Sequence, residues 1–479
     1  MATETILPRL LLSQLPVEIT LEVASKLSLS DALSLLWTCA SFYALSGQRS
    51  FWIVILTTAR DHIPLLCQPY TDFSVYPLDK LRELVYSQLR LEGNWSRSHP
   101  QVKRHLPPVK FGEKVEILST LQGTGLALLH LPDSRKLICW DTETSGQEPV
   151  IPAIPTTGRI VGVSAPFGLG NVSYVAVLIM QWHEPYTTER HLITIHHKGK
   201  IVTAFTNEFT LSRTPNGHYF ESLFLTEDLV GTLLVEESDN QCLLSFTGNK
   251  EIMSKPQTSA KMDLPQHIFN ERDLTVCFAF RGHLYNLIED GEVVQIQHVS
   301  RKSLSSGRCE ETNLFTSKIS AEEVLQPFCF ILPSNPLYGI AAAFIHFHTA
   351  HPKIQLIFVP ATIDISNGDD EEDSPLIFAP DCHIVNIEGR PADISLVWMD
   401  HSGCNVIFIV ATQLTEAAEG LSLKLLLVRY RRETQSSTVH RLALPEDFDG
   451  AVAAVSVDET MGAVHLVSAV GTFFTLYYV

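Results

Sequence analysis

Apolar residues recur at two different spacings along this chain, and the spacing changes near residue 109. Before this point they lie three or four positions apart, which is the period of an amphipathic helix. After it, short runs of β-branched and aromatic residues follow one another with turns between them, which is typical of strands. The pattern therefore predicts a helical N-terminal part followed by a mainly β domain that occupies most of the 479 residues.

The helical part is predicted to contain three short helices and a connector helix. Pro16 suits a first helical position, Ser30 is the predicted N-cap of the second helix, and Gly47 ends it. The connector begins at Leu78 and is predicted to end at Gly93. The apolar faces of the short helices are Ile19, Val23 and Leu27; Leu35, Cys39 and Phe42; and Phe51, Trp52, Ile55, Leu56 and Ala59. A module of this length buries little surface by itself. We therefore expect some of these apolar groups to face a partner.

The same stretch carries a second pattern, an ordered series of loosely specified positions over residues 15–56. Its members are Leu15, Pro16, Ile19, Leu27, Leu33, Cys39, Phe42, Phe51 and Trp52. In order and spacing this series resembles an F-box, with Ala32 and Ala40 departing from the residues that are common in that family. The resemblance implies a module that docks the Skp adaptor, and through it a cullin, with these residues at the contact. The alternative is a helical appendage that only caps the following domain.

The β domain is predicted to be a β-propeller of six to seven blades, since roughly 25 strands at four per blade give that number. A ring of blades hides strand edges better than a sandwich of this size, although stacked sandwich or barrel domains remain the alternative. Cys139-Trp140-Asp141 with the polar turn after it resembles the signature of WD-repeat propellers. The predicted domains are the F-box module (1–60), a connector with a basic linker (61–108) and the propeller (109–479). The apolar C-terminal hairpin is predicted to close the ring with a strand near Val115–Leu118.

Composition sets the class of protein. An apolar content of 45% describes a chain that folds around a large core, and no apolar run is long enough to predict a membrane span. The nine cysteines are scattered singly, which is typical of reduced thiols used as small core residues. A cytoplasmic or nuclear protein is therefore expected.

Charge is distributed unevenly. The first 110 residues hold 11 Lys and Arg against 9 Asp and Glu, whereas the rest holds 24 against 44, so the rest carries about −20 of a net charge of −18 for the whole chain. Such an excess argues against nucleic acid and membrane partners, and favours a basic target segment or simply solubility. From Gly93 to Gly112 there is no acid, which predicts a basic linker lying on the acidic domain. Arg429, Arg431 and Arg432 are the predicted contacts should the target be acidic or phosphorylated.

Candidate chemistry is sparse, so no catalytic residue, metal or cofactor is predicted. His346 and His348, with His351 nearby, are the best candidate zinc ligands, but a structural site needs four ligands. The run Asp369–Asp373 is predicted to be a solvated loop. Its acids are consecutive, whereas the residues that ligate Ca²⁺ alternate with residues that do not. The predicted function is a non-catalytic substrate-recognition subunit of an SCF-type ubiquitin ligase, in which the propeller binds a target protein. Two alternatives remain: an F-box scaffold outside the ligase, and an enzyme with its site in the propeller channel.

Overall fold

A computed structural model of the chain shows helices first and strands thereafter. It describes residues 15–68, 71–143, 152–164, 166–169, 171–181, 188–198, 201–211, 218–225, 229–236, 241–248, 258–263, 274–280, 283–289, 293–299, 311–318, 328–332, 340–346, 353–359, 381–386, 394–399, 402–413, 421–431, 434, 436–448 and 450–479. The prediction of a mainly β protein with an N-terminal helical module is confirmed.

The described residues of the N-terminal part contain five α-helices and one 3₁₀ turn. They are α1 (Val17–Ala24), α2 (Leu29–Leu36), α3 (Ala40–Leu45), α4 (Arg49–Arg60), the 3₁₀ turn Phe73–Val75 and α5 (Leu78–Trp95). Their shared core is apolar and centres on α4, against which α1, α2 and α5 pack. We call α1–α5, with the 3₁₀ turn and the segments between them, the helical module.

Three details of the helices differ from the sequence prediction. The N-cap of α2 is Ser28 and not Ser30, because the Ser28 hydroxyl accepts the backbone N–H of Asp31 at 3.2 Å. The predicted second helix is two helices: α2 ends at Leu36, and extended backbone at Cys39 (φ −159°, ψ 167°) separates it from α3. The connector α5 runs past Gly93 to Trp95.

The described strands form seven antiparallel sheets, with two short strands that precede the first sheet and join the last. The two short strands are β1 (Arg104–His105) and β2 (Val109–Lys110). The first sheet contains β3 (Glu116–Leu121), β4 (Leu126–Leu131), β5 (Lys136–Asp141) and β6 (Ile154–Pro155), and the second contains β7 (Arg159–Val163), β8 (Phe167–Leu169), β9 (Val172–Met180), β10 (Thr188–Lys198) and β11 (Ile201–Leu211). The third sheet contains β12 (His218–Leu225), β13 (Leu229–Glu236), β14 (Gln241–Gly248) and β15 (Thr258–Asp263), and the fourth contains β16 (Leu274–Phe280), β17 (His283–Glu289), β18 (Val293–Val299) and β19 (Glu311–Lys318). The last three sheets comprise β20 (Phe328–Leu332), β21 (Ile340–His346), β22 (Lys353–Val359) and β23 (Asp381–Asn386); β24 (Ile394–Met399), β25 (Asn405–Gln413), β26 (Leu421–Arg431) and β27 (Ser436–Leu442); and β28 (Val452–Asp458), β29 (Ala463–Ser468) and β30 (Thr472–Tyr477).

The sheets are arranged as the blades of a ring. The first strand of each blade lies against the first strand of the next, in the order β12, β16, β20, β24 and β28, and β28 in turn lies against β3 of the first blade. The second blade joins the third through contacts of β7 and β9 with β12, and the first joins the second through β6 and β11. The described strands are therefore a seven-bladed propeller whose last blade meets its first, which lies within the predicted range of six to seven.

The closing blade combines the two ends of the β domain. β30 pairs with β29 on one edge and with β1 and β2 on the other, in the registers Arg104↔Tyr477 and Val109↔Phe473. The predicted closing strand near Val115–Leu118 is therefore wrong, because Glu116–Leu118 belong to β3, which pairs with β4 in the first blade. The C-terminal hairpin does close the ring, but with residues that lie earlier in the chain, in what was predicted to be linker.

One glycine makes this closure possible. Gly471 lies in the turn between β29 and β30 with φ +78°, a backbone conformation that favours glycine. A Cβ added there would meet the carbonyl oxygen of Glu113 at 1.8 Å. The turn therefore lies directly against the segment that leads into β3, which no other residue type would allow without a shift of the backbone.

Candidate docking surface

The predicted adaptor residues divide into an inward and an outward group. Phe42, Phe51 and Trp52 belong to the core of the helical module, with exposed fractions of 6%, 0% and 0%. The Trp52 indole N–H donates to the carbonyl of Ser46 at 2.9 Å, and its ring meets that of Phe51 edge-on. These three side chains hold the helices together within the chain itself.

The remaining predicted residues lie at or near the surface. Leu27 and Leu33 are half-buried and pack against the core of the module, and Leu15 is half-buried as well. Ile19 is 49% exposed in the first turn of α1, with Pro16 exposed just before it. Cys39 is exposed between α2 and α3. The structure therefore places only part of the predicted set where a partner can reach it.

Two aromatic residues that the sequence prediction omitted form the most exposed apolar group of the module. Trp37 and Tyr43 are 73% and 56% exposed, and their ring centroids lie 5.9 Å apart. They flank Cys39, which is also exposed. The core positions next to them, Leu36 and Phe42, are already filled. The sequence contained one signal for these two exposed residues. Each is an aromatic residue directly next to a helix position that already faces the core. We call Trp37, Cys39 and Tyr43 the aromatic face.

On its other surface, the module is joined to the propeller by α5. Leu91 and Trp95 lie in one apolar core with residues of blades six and seven, among them Leu427 and Tyr478. The side-chain amide of Asn94 donates to the carbonyls of Tyr478 and Gln101, each at 2.7 Å. The helix therefore ends on the propeller, which explains why it continues through Gly93.

A charged pair reinforces this junction. Arg429 of β26 donates to both carboxylate oxygens of Glu92 at 2.9 and 3.0 Å and to the side chain of Asn405 at 3.1 Å. Its guanidinium also lies 5.1 Å from the ring centre of Trp95. Arg429 is only 6% exposed. The prediction that Arg429 contacts a phosphorylated target is wrong, because the chain itself occupies this guanidinium; Arg431 is exposed and Arg432 lies outside the described residues.

The module contacts one rim of the propeller. Gly123 and Gly462 are in the turns between the first and second strands of blades one and seven, and Cβ atoms placed on them would meet Gln68 at 2.3 Å and Leu91 at 3.2 Å. In a blade of antiparallel strands, these turns all lie on the same rim. The module therefore covers this rim at the junction of blades seven and one.

The described side chains give no support to catalysis. They contain no group of three or more His, Cys, Asp or Glu that could hold a metal ion. Burial raises the pKa of the Cys67 thiol to about 11 and that of Cys139 to about 12, so both are protonated and unreactive near neutral pH. His346 ends β21, and its predicted partners His348 and His351 lie outside the described residues, as does the acidic run 369–373. Among the described helices, none is long and apolar enough to span a membrane.

Comparisons with known proteins give a likeness of fold and no sequence match. No family model and no curated protein matches this chain. The Cps50 (Swd1) β-propeller domain of Myceliophteria thermophila aligns with 78% of this chain and 98% of its own, at 11% identity and a TM-score of 0.47. The WD40 domain of SCAP from fission yeast aligns with 78% and 97%, at 9% identity and a TM-score of 0.40. The Nup170 NTD–Nup53 complex from Chaetomium thermophilum aligns over 79% and 61%, at 12% identity and 0.44. The assignment of a propeller rests on the strand pairing and ring closure of this chain itself.

Proposed function

We propose that this chain is a protein-interaction subunit, and specifically the substrate-recognition subunit of an SCF-type ubiquitin ligase. In this proposal the helical module docks the Skp adaptor, the adaptor recruits the cullin, and the propeller holds a target protein. Ubiquitin transfer is performed by other subunits, which gain from proximity to the held target. The chain itself then needs no catalytic residue.

The aromatic face is the observation that carries the proposal. The side chains of Trp37 and Tyr43 are exposed to solvent, and other residues fill the core beside them. Exposed aromatic residues of this kind are the anchors that protein interfaces use most often. The resemblance of residues 15–56 to an F-box names the adaptor as the partner of this surface. The appendage hypothesis predicts no such surplus, since a module that only caps the propeller has no reason to expose aromatic side chains far from it.

The junction of α5 with the propeller supports the division of labour. Asn94, Trp95 and the Glu92–Arg429 pair fix the direction in which the module leaves the propeller. A receptor has to hold its target at a defined position relative to the ligase, because transfer depends on proximity and orientation. The rim that the module leaves uncovered, opposite the turns at Gly123 and Gly462, is the surface that we propose for the target.

The test is co-purification of the full-length chain with a Skp adaptor, with and without the cullin. We expect the wild type to bind the adaptor, and the double variant Trp37→Ser with Tyr43→Ser to bind it at least about tenfold more weakly, since hot-spot aromatics contribute about 2 kcal/mol each. Recovery of the cullin together with the adaptor supports a ligase subunit. Adaptor binding without the cullin would favour the scaffold alternative.

A control is available elsewhere on the same chain. Val75 and Val470 are 70% and 59% exposed and belong to neither α2 nor α3. The double variant Val75→Ser with Val470→Ser removes two other exposed apolar side chains, and we expect it to bind the adaptor as the wild type does. Equal binding by both double variants would contradict the assignment of the aromatic face, and failure of the wild type to bind any adaptor would contradict the proposed function.

A further inference from the structure

A strip of exposed cations lies on the outer wall of the propeller where blades six and seven meet. Its members, which we call the basic strip, are Arg97, Lys103, Arg104, Lys110, Arg431 and Arg441. Four of them come from the linker between α5 and the first blade, in which no acid occurs between Gly93 and Gly112. In a chain with a net charge of −18, this is an unusual concentration of positive charge.

Specific contacts bring the linker and blade six together. The carbonyl of Ser98 accepts the backbone N–H of Arg441 at 3.2 Å, and the carbonyl of Arg97 lies 2.7 Å from the ring nitrogen Nδ1 of His440. The guanidinium of Arg431 donates to the hydroxyl of Ser96. The linker then becomes β1, which pairs with β30. Backbone and side-chain bonds therefore hold the linker against the outer edges of blades six and seven, with Lys110 at the far end of β30 from Arg104.

These charges are not neutralised within the described part of the chain. None of the six has a described carboxylate within ion-pair distance, in contrast to Arg429 with Glu92. Arg97 and Lys103 reach only the amide oxygen of Gln101, at 3.4 and 3.5 Å. Arg104 lies over the ring of Tyr477 at 4.4 Å. The nearby carboxylate of Glu143 is bonded to the Tyr477 hydroxyl at 3.3 Å.

A neighbouring histidine, His440, has a pKa that depends in part on the charge of the basic strip. The pKa of His440 is lowered, first by burial and further by the positive charges of Arg429 and Arg431. The backbone of Arg97 works in the opposite direction, because its carbonyl accepts the imidazole N–H. Burial is the main cause, and of the two arginines only Arg431 belongs to the basic strip, so the strip adds to a shift that burial sets.

Protection of a sheet edge from further strand pairing explains only some of these residues. Lys and Arg on an exposed edge strand discourage the addition of another strand, and Lys103, Arg104 and Lys110 lie on or beside the edge strands β1 and β2. Arg97 belongs to no strand, and Arg431 lies at the end of β26, which is covered by β27. Arg441 lies on β27, which is also an edge strand. Protection of sheet edges therefore explains four of the six cations and leaves Arg97 and Arg431 without a role.

We propose that the basic strip binds a peptide segment of a partner protein that carries clustered negative charge, as phosphoserine or phosphothreonine or as consecutive acidic residues. Arginine forks pair with phosphate and carboxylate oxygens in two-point hydrogen bonds. A short charged segment fits a short strip, whereas a nucleic acid would extend onto a protein surface of net negative charge. This site is separate from the aromatic face, so it does not depend on the adaptor proposal.

The experiment measures peptide binding to the full-length chain by fluorescence anisotropy at low and at physiological salt. Three labelled peptides of one sequence are compared: phosphorylated, with Asp and Glu in place of the phosphoserines, and with neutral serines. We expect an anionic peptide to bind at least tenfold more tightly than the neutral one, and the affinity to fall as salt rises. Comparison of the two anionic peptides identifies the source of the charge. A labelled oligoribonucleotide that binds more tightly than either would overturn the proposal.

Matched variants locate the site. The triple variant Arg97→Glu, Arg431→Glu and Arg441→Glu should weaken anionic-peptide binding at least tenfold. The control Lys136→Glu, Arg159→Glu and Lys198→Glu changes the charge equally at exposed positions of blades one and two, and should weaken it less than threefold. An equal loss in both variants would mean attraction to net charge alone and would overturn the proposal.

A measurement on the wild type covers the case in which the triple variant does not fold. Hydrogen exchange is followed with and without the best-binding anionic peptide. We expect slower exchange in residues 96–106 and 436–442, which carry four of the six cations of the strip. Protection confined to other parts of the chain, or no binding of an anionic peptide at low salt, would contradict the proposal.

Discussion

The helical module has two surfaces that are built differently. Towards the propeller, Leu91 and Trp95 of α5 lie in a continuous apolar core, and the Glu92–Arg429 pair is largely withdrawn from water. At the aromatic face, Trp37 and Tyr43 are exposed to solvent. The first surface is buried within the chain, whereas the second is the one that we propose for a partner. A permanent junction tolerates a buried ion pair because the two partners never separate, whereas a surface that forms and dissolves is better served by apolar anchors that leave no charge unpaired.

The most severe test of the permanent surface is removal of residues 471–479. These residues include β30, which pairs with β29, β1 and β2, and they include the carbonyl of Tyr478 that Asn94 binds. The deletion exposes two strand edges and the apolar end of α5, so we expect aggregation in place of a folded chain. Size-exclusion chromatography with light scattering measures this. Deletion of the exposed Val479 alone is the control, and a soluble, cooperatively unfolding 471–479 deletion would contradict closure of the ring.

Two tryptophans of the module compare the buried core with the open surface directly. Trp52 is fully buried, whereas Trp37 is 73% exposed. We expect Trp52→Ala to lower the free energy of unfolding by about 3 to 5 kcal/mol, because it leaves a large cavity. Trp37→Ala should change it by less than about 0.5 kcal/mol. Urea titration followed by far-UV circular dichroism measures both, and a similar loss in the two variants would show that Trp37 has a structural role as well.

This contrast changes how adaptor variants are interpreted. Trp52 and Phe51 are part of the F-box resemblance, yet the structure places both in the core. Loss of adaptor binding in Trp52→Ala would therefore report unfolding of the module as readily as loss of a contact. Substitutions at the aromatic face are the informative ones, because their effect on folding is expected to be small.

The ion pair at the junction comes next in expected size. Arg429→Gln leaves the Glu92 carboxylate, of which only 20% is exposed, without its cation, so we expect a loss of about 3 kcal/mol. The double variant with Glu92→Gln should lose less than the sum of the two single variants, since neither charge is then unpaired. The control is Lys26→Gln, whose partner Glu22 and own side chain are 71% and 75% exposed, and which should cost less than about 0.5 kcal/mol. Strict additivity of the two single variants would contradict a coupled pair.

The sequence predicted the architecture more successfully than its details. Short runs of β-branched and aromatic residues identified most of the inner and middle strands, because these strands are apolar on both faces. Outer strands such as β15 (TSAKMD) and β19 (ETNLFTSK) were not predicted, since strands with one solvated edge carry polar residues that resemble loops. Closure by β1 and β2 was also beyond sequence reasoning, because two-residue strands have no periodicity.

The surfaces were harder to predict than the fold, for a physical reason. A helical period separates core from solvent on average, but it does not show which exposed apolar residue lacks a partner, and so Trp37 and Tyr43 were omitted. Similarly, the run Arg429-Tyr430-Arg431 places its two arginines two positions apart, yet Arg429 is buried against Glu92 and Arg431 is exposed. The partner that makes the difference lies 337 positions away in the chain.

The smallest expected effect concerns pH at the turn that meets α5. Asp458 is fully buried beside Thr460 and Met461, and burial raises the pKa of its carboxyl from 3.8 to about 6, although the hydroxyl of Thr460 and the backbone N–H groups of Thr460 and Met461 donate to it. Because the fold binds this proton more tightly than the unfolded chain does, the resulting stability is complete below about pH 4 and is lost as the pH rises through 6. Asp458→Asn removes this dependence, so we expect the variant to gain about 2 to 3 kcal/mol relative to the wild type between pH 4 and pH 7. Urea titrations of both proteins across this range measure the difference, in which the titration of all other groups cancels. Parallel stability curves for the two proteins would contradict a buried, proton-binding Asp458.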